Sequence, residues 1–401
     1  MSARPLRVCL VAGEASGDRL GAPLIRALRE ELGDRGLEIR GVGGELMQAE
    51  GLHSLFPSDE LAVMGLFEVL PRLRAILARM DETAADVAAW APDVLLTIDS
   101  PAFGLRVARR ARAACPGLTT VHYVAPSVWA WRPGRARKMA RYTDHVLALL
   151  PFEPPYMTAE GMTCDFVGHP ASRLPRPSAE AQAAVRAQIG AAGRPLLCVM
   201  PGSRRGEVAR LAAPFGEALG LLAQRHPDLA VVLPAAAGVA DAARELAAAW
   251  PVEAHVLDPR GLDPAEAERR KFAAMAASDA ALAASGTVTL ELAAMRVPQV
   301  IGYRVNPLTA VIARRLLKID TANLLNLLLK ERAVPEFIQH FLVPAKVAAA
   351  LDPLLGPGPA RDAQLSAADR ALALLGRDGE PPSTRAARSV IAAAARGPRR
   401  G

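Results

Sequence analysis

The sequence predicts an α/β protein of two Rossmann-like, doubly wound parallel-sheet domains facing a cleft, followed by a helical C-terminal segment. Three observations predict it. Short apolar runs alternate with longer Ala/Leu/Arg/Glu stretches of helical period, the order that builds parallel sheets covered by helices. The alternation breaks once, at a stretch with prolines at 170, 175 and 177, and then restarts. The 401 residues, 51% of them hydrophobic, are enough for two or three domains with their own cores.

In chain order, strands are predicted at 7–12, 38–42, 94–98, 119–124 and 145–149, and the run 162–167 ends in the turn signal Gly168-His169-Pro170. After the break they recur at 196–200, 230–233, 254–257, 280–283 and 299–303. This divides the chain into an N-terminal domain, 1–170, a second domain, 171–352, and a helical segment with a basic tail, 353–401. Cys9, Cys115, Cys164 and Cys198 lie far apart, form no C-x-x-C pair and read as buried, reduced thiols. The apolar run at 8–12 is too short for a secretory signal, and the stretch 229–239, broken by Pro234, is too short to span a bilayer. A cytosolic or peripheral protein is therefore expected. The net charge of +7 admits anionic partners, whether nucleic acid, an acidic bilayer or phosphorylated substrates, without choosing among them.

The first strand runs into Gly13-Glu14-Ala15-Ser16-Gly17-Asp18. Glycines there allow a close backbone approach and a helix start favours an anion. The same string also reads as a plain strand-to-helix turn with Asp18 as N-cap. Its spacing is not G-x-G-x-x-G, which argues against a nicotinamide dinucleotide. Asp99 ends an apolar strand, where doubly wound folds put working side chains, and is a general-base candidate; capping the helix after Pro101 is the other reading. In 127–138, Trp129 and Trp131 stand beside Arg132, Arg135, Arg137 and Lys138. Such a patch suits a phosphate and a sugar face, single-stranded nucleic acid, or core packing of two tryptophans on one strand face. No nucleic-acid-binding module accompanies it. Met64, Phe67, Leu70, Leu73 and Leu77, with Arg72, Arg74 and Arg79 between them, form a helical stripe that either packs on the core or lies on an anionic bilayer.

The second domain opens on a strand followed by Pro201-Gly202-Ser203-Arg204-Arg205-Gly206-Glu207. Gly202, Ser203, Arg204 and a helix N-terminus suit a pyrophosphate, and Glu207 sits in the first turn. No P-loop lysine is present. Ser285-Gly286-Thr287-Val288-Thr289-Leu290-Glu291 repeats the strand, turn and helix plan, with Glu291 placed either for ribose hydroxyls or as a first-turn acid. No His/Asp cluster has metal-ligand spacing, so neither metal nor cofactor is expected.

Taken together, GEASGD (13–18), GVGG (41–44), SVWAWRPGRARKM (127–139), LPFE (150–153), VGHP (167–170), PGSRRGE (201–207), SGTVTLE (285–291) and VPEFIQ (334–339) resemble the lipid-A-disaccharide synthase family, in its order and along the whole chain. Where that family commonly has Pro-Asn-Leu-Leu-Ala-Gly-Arg, this chain has Leu325-Asn326-Leu327-Leu328-Leu329-Lys330-Glu331-Arg332 and keeps the asparagine. The resemblance implies a glycosyltransferase-B-like fold, with the acylated acceptor on the N-terminal domain and the donor nucleotide on the second. It implies inverting transfer from UDP-2,3-diacylglucosamine to 2,3-diacylglucosamine 1-phosphate, giving a β-1,6-linked disaccharide 1-phosphate and UDP. It further implies work at the cytoplasmic face of the inner membrane and dimers that exchange C-terminal segments. Under it Asp99 is the expected base and Glu14 its rival, Ser203 and Arg204 hold the diphosphate, Glu291 holds ribose, and Arg132, Asn326 and Gln339 lie around the site. A UDP-sugar epimerase and a non-enzymatic binder of anionic surfaces are the competing readings.

Overall fold

The computed structural model describes residues 4–61, 66–132, 134–305 and 321–399, with the side chains of 59 and 66–72 left out. These residues form two compact units, 1–170 with 375–401, and 171–374. The expected separate segment 353–401 is thus divided: the helix Pro359–Leu374 belongs to the second unit and the helix Pro382–Arg396 to the first. The reason is amphipathicity, since Ala386, Ala387, Val390 and Ala393 of the last helix complete the first unit's core.

The first unit holds a six-stranded parallel sheet: β1 (Leu6–Ala12), β2 (Leu37–Val42), β3 (Val94–Ile98), β4 (Thr119–Tyr123), β5 (His145–Ala148) and β6 (Thr163–Phe166). Their order is β2-β1-β3-β4-β5-β6. Side chains of β1 alternate between the faces, as the period of two requires. Leu6, Val8, Leu10 and Ala12 pack with Leu24, Ile25 and Leu28 of the helix Ala15–Leu32. Cys9 and Val11 face Met80, Val87 and Val107 on the other side. Both faces being covered, β3 and β4 are buried throughout, which suits the mostly apolar β3 (VLLTI), whereas β4 (TTVHY) buries polar side chains as well. Truncating a core residue such as Leu96 to Ala costs roughly 2–5 kcal/mol on this account.

The second unit repeats the plan with β7 (Leu196–Met200), β8 (Ala230–Pro234), β9 (Ala254–Leu257), β10 (Ala280–Ala283), β11 (Gln299–Tyr303) and β12 (Glu336–Ile338), in the order β12-β11-β10-β7-β8-β9. Leu197, Val199, Val231 and Leu282 meet Leu211, Phe215 and Leu219 of the helix Arg205–Ala223. The sequence pattern misses β12, because three half-buried residues after Pro335 carry no periodic signal.

Two further expectations change. All four cysteines are free, yet only Cys9 and Cys198 are buried. Cys115 ends a helix and Cys164 sits on the edge strand β6, so each is half-buried. Of the helical stripe, Met64 and the side chains of Phe67, Leu70 and Arg72 lie outside the described residues. Leu77 packs on the core, whereas Leu73 is 41% exposed. Among the described residues no helix is long and apolar enough to cross a membrane.

Candidate functional site

In open parallel sheets, ligands bind beyond the carboxyl ends of the strands where the strand order reverses. In the first unit that point lies between β1 and β3, and the two loops leaving them carry Gly13–Asp18 and Asp99. The helix after β1 starts at Ala15, earlier than the sequence suggests, with Glu14 in the N-cap position. Gly17 is required there, because a Cβ would come within 3.0 Å of the Ile98 carbonyl oxygen. This close approach lets the Ser16 hydroxyl donate to Asp99 Oδ2 at 2.6 Å.

Asp99 is half-buried and takes a left-handed backbone, φ 52°, followed by Ser100 at 38°. Such conformations cost non-glycine residues of order 1–3 kcal/mol and gather where the geometry matters to function. Asp99 is not a helix cap: the helix Gly104–Ala114 begins without a side-chain cap, and the Phe103 and Gly104 N–H groups donate to the Ser100 carbonyl.

Asp18 is a correction to the expected ligand set. It is 7% exposed, and its carboxylate accepts from the backbone N–H groups of Gly44, Leu46 and Met47 at 2.9–3.0 Å. It therefore fixes the GVGG turn and caps the next helix rather than its own.

The tryptophan segment follows β4, whose predicted end at 124 is cut short because Val124 turns to φ 83°. No strand exists at 127–132, so Trp129 and Trp131 share no strand face. Trp129 Nε1 donates to Glu153 Oε1 at 3.2 Å, and its ring meets Phe152 edge-on at 5.2 Å. Glu153 also accepts from the Leu150 N–H, and burial pushes its carboxyl up to about 7. Trp131 instead stacks under Arg132 at 4.5 Å and Arg135 at 5.8 Å. Arg132 is exposed and left-handed, φ 51°. Glu153 was not singled out from the sequence, although its acid directly after an apolar strand end was the available sign.

In the second unit the strand order reverses between β7 and β10, and the two loops there are 201–207 and 285–291. Gly202 has φ 117°, and Ser203 and Arg204 are exposed at the start of the 19-residue helix Arg205–Ala223. Arg204 Nη1 lies 3.1 Å from Glu207 Oε1. Gly286 and Thr287 are exposed on the neighbouring turn. Glu291 is paired with Lys271 Nζ at 2.9 Å, a partner that the sequence gives no means to find. A helix N-terminus and an exposed guanidinium at this end of the sheet are features suited to an anion.

Asn326 is brought elsewhere. It is 2% exposed, and its amide exchanges two hydrogen bonds with the backbone of Val334, at 2.9 and 3.0 Å, so it ties a helix to the chain entering β12. Gln339 follows β12 with φ 56° and is half-buried. Among the described residues no three His, Cys, Asp or Glu side chains are grouped to hold a metal.

Comparison with known proteins identifies the family. A family model described as lipid-A-disaccharide synthetase matches residues 8–373. A lipid-A-disaccharide synthase of Ruegeria pomeroyi is 52% identical over 97% of this chain and 95% of its own length. One of Rhodospirillum centenum is 46% identical over 97% and 94%. Among solved structures, a putative UDP-N-acetylglucosamine 2-epimerase of Listeria monocytogenes superposes with a TM-score of 0.63 at 16% identity, covering 97% of this chain and 95% of that one. A glycosyltransferase of Rickettsia africae gives 0.56 at 12%, covering 97% of each. These distant likenesses speak for the fold alone, so the epimerase name carries nothing against the transferase reading. Matched over residues 8–373 by the family model and over 97% of its length by a relative at 52% identity, the chain belongs to the lipid-A-disaccharide synthase family.

Proposed function

We propose that this glycosyltransferase of lipid A biosynthesis joins UDP-2,3-diacylglucosamine to 2,3-diacylglucosamine 1-phosphate, with Asp99 as the base. The observation that carries the reading is the half-buried Asp99, held left-handed at the β1/β3 reversal with a hydroxyl donor on one oxygen. Its other oxygen takes the proton from the acceptor 6-hydroxyl as that oxygen attacks the anomeric carbon of the donor. The bond from that carbon to the diphosphate oxygen breaks with inversion, giving the β-1,6 disaccharide 1-phosphate and UDP. Charge developing on the departing diphosphate is met by Arg204, Ser203 and the N-terminus of the helix Arg205–Ala223. Gly202, Gly286 and Thr287 line the same turns, and Glu291 holds the ribose. Gly13, Ser16, Gly17 and Arg132 serve the acceptor, and Glu14 is the rival base.

The test is turnover of the two acylated sugars, followed as disaccharide and UDP by mass spectrometry. An Asp99→Asn variant that stays folded and loses turnover supports the assignment; one that keeps it, with Glu14→Gln inactive, moves the base to Glu14.

We also place the protein at the cytoplasmic face of the inner membrane, as a peripheral protein and a C-terminally exchanged dimer. Supporting the first, Arg106, Arg109, Arg135 and Arg141 gather around Tyr142, a basic surface suited to anionic lipid. Supporting the second, the helix Pro382–Arg396 packs on the helix Ala15–Leu32, far from it in sequence. Sedimentation with anionic against neutral vesicles, and light scattering with and without residues 375–401, decide the two.

A further inference from the structure

The turn after β4 is tied down on both sides of its exposed tip. Val128 is 2% exposed in a core cluster with Met139, Val146 and Met157, and Trp129 is hydrogen-bonded to the buried Glu153. The Ala130 and Trp131 N–H groups close the turn on the Ser127 carbonyl, at 3.1 and 3.3 Å. This frame presents Trp131 with two guanidiniums on it, Arg132 at 4.5 Å and Arg135 at 5.8 Å from the ring centroid.

The other cations that stack on rings in this protein also meet an oxygen. Arg7, over Trp90, pairs with Glu38 at 3.3 Å, and Arg79, over Phe56, pairs with Glu60 at 2.8 Å. Lys271, over Phe272, pairs with Glu291 at 2.9 Å, and Arg385, over Phe166, donates to the carbonyl of that residue. Arg137, two residues past Arg135, pairs with Glu160 at 3.5 Å. Arg132 and Arg135 differ: among the described residues neither guanidinium has a carboxylate or a carbonyl to donate to. Two like charges held to one ring repel, and an anion that accepts from both removes the repulsion. The guanidinium fork matches phosphate oxygens in geometry as well as in charge.

The place of the turn selects the anion. Asp99 follows β3 and the turn follows β4, its parallel neighbour, so both leave the same end of the sheet. The Asp99 N–H donates to the Tyr123 carbonyl at 2.9 Å, which ties the two exits together. Neighbouring strands lie about 4.8 Å apart, the scale of one sugar ring. The proposed acceptor carries its 6-hydroxyl and its 1-phosphate on one such ring. We propose that Arg132 and Arg135, ranged on Trp131, bind the 1-phosphate of the acceptor while Asp99 meets its 6-hydroxyl. The inference rests on the proposed acceptor. Arg135 is also one of the cations around Tyr142, so the phosphate site adjoins the basic surface suited to anionic lipid.

The test uses the full-length protein in neutral detergent micelles with UDP-2,3-diacylglucosamine and two acceptors, 2,3-diacylglucosamine 1-phosphate and the same sugar without its phosphate. The readout is the ratio of kcat/KM for the two acceptors. The parent protein is expected to favour the phosphorylated one by about 10²-fold or more. Arg132→Gln combined with Arg135→Gln should reduce that ratio by about tenfold or more, chiefly through acceptor KM, with donor KM changed less than about twofold. Arg132→Lys should keep part of the preference, because it retains the charge and loses the fork. Trp131→Leu takes away the ring under both cations and should lower the ratio by less than the double variant. Thermal unfolding confirms that each variant is folded; should the double variant not fold, Arg132→Gln, at an exposed position, carries the test alone. A folded variant that loses both acceptors equally, leaving the ratio unchanged, overturns the proposal in favour of a structural role. A ratio unchanged in micelles, with binding to anionic vesicles lost, overturns it in favour of lipid headgroups. A parent protein with no preference for the phosphate sinks this inference and leaves the transferase reading intact, whereas one that turns over neither acceptor sinks both. Should Asp99→Asn stay active, the base assignment falls, while a ratio lost in the arginine variants still upholds the phosphate site.

Discussion

The Ser16 hydroxyl donates to Asp99 Oδ2 at 2.6 Å across the reversal between β1 and β3, joining the first turn of a helix to the end of a neighbouring strand. One oxygen of the carboxylate is thereby fixed, and under the proposed mechanism the other takes the acceptor proton. Replacing Asp99 with Asn is expected to lower kcat by roughly 10²–10⁴, the usual contribution of a positioned base. Ser16→Ala removes a hydrogen bond to a charged group, about 1.5–3 kcal/mol, and should cost kcat more than KM. Steady-state kinetics on both sugars check the pair; a Ser16→Ala variant altered only in KM would mean that the hydroxyl binds acceptor instead.

Arg204 is predicted to matter in the transition state more than in the ground state. It is 63% exposed at the head of a 19-residue helix, where Glu207 tethers it among the described residues. Charge on the diphosphate grows as the sugar leaves, so Arg204→Ala should reduce kcat by about 10²–10³ with a smaller rise in donor KM. Arg204→Lys, lacking the fork, should recover part of the loss. Binding of UDP by calorimetry separates the two effects.

The reversal points were legible in the sequence because each is announced by an apolar run ending in a glycine turn: 13–18, 201–207 and 285–291 all lie where the topology requires. Asp99 was legible for the same reason, as an acid at the end of an apolar strand. The roles within those strings were not. Asp18 and Asn326 sit among ligand-like residues, but their polar atoms are taken up by backbone groups of Gly44–Met47 and Val334, contacts across 26 to 29 and 8 residues that no local pattern encodes. Lys271 beside Glu291 and His122 beside Thr97 are likewise products of register and helix packing.

These two assignments predict a loss of stability. Asp18→Ala leaves three backbone donors without their acceptor, and at about 1–3 kcal/mol per unmet buried group the variant should unfold at markedly lower denaturant or not accumulate. Asn326→Ala breaks the two buried bonds to the Val334 backbone and a longer one to Thr321, and should cost roughly 2 kcal/mol. Chemical unfolding of the folded variants measures both, and a variant of wild-type stability with raised KM would return the residue to the binding site.

Glu153 gives a pH dependence. Burial raises its carboxyl from 4.5 to about 7, so between those values the native state holds a proton that the unfolded chain has released. Stability from this group is therefore full below the unfolded value and declines as pH rises toward 7. Glu153→Gln cannot ionise, and it weakens one of the bonds from Trp129 and Leu150. The variant should be less stable than the parent at pH 5, with the gap narrowing by roughly 1–3 kcal/mol by pH 8. Parallel denaturation at the two pH values reads this out; a gap that stays constant would show that Glu153 ionises in the folded protein as freely as in the unfolded chain.

Lys271 and Glu291 make the last case, because their pairing bears on how a carboxylate is held ready for a ribose. At 2.9 Å and with both side chains about three-quarters covered, the ammonium holds one carboxylate oxygen, Oε2; under the proposed ribose role, Oε1 is the oxygen that meets the two sugar hydroxyls. Removing the cation lets the carboxylate change rotamer without altering its charge. Lys271→Met should therefore raise donor KM, about fivefold for a loss near 1 kcal/mol, with kcat close to the parent value. Glu291→Gln keeps the shape and weakens the hydroxyl contacts, so it should raise donor KM further. The double variant should be no worse than Glu291→Gln alone, since Lys271 acts only through that carboxylate. Additive losses in this cycle would instead mean that Lys271 reaches the nucleotide itself.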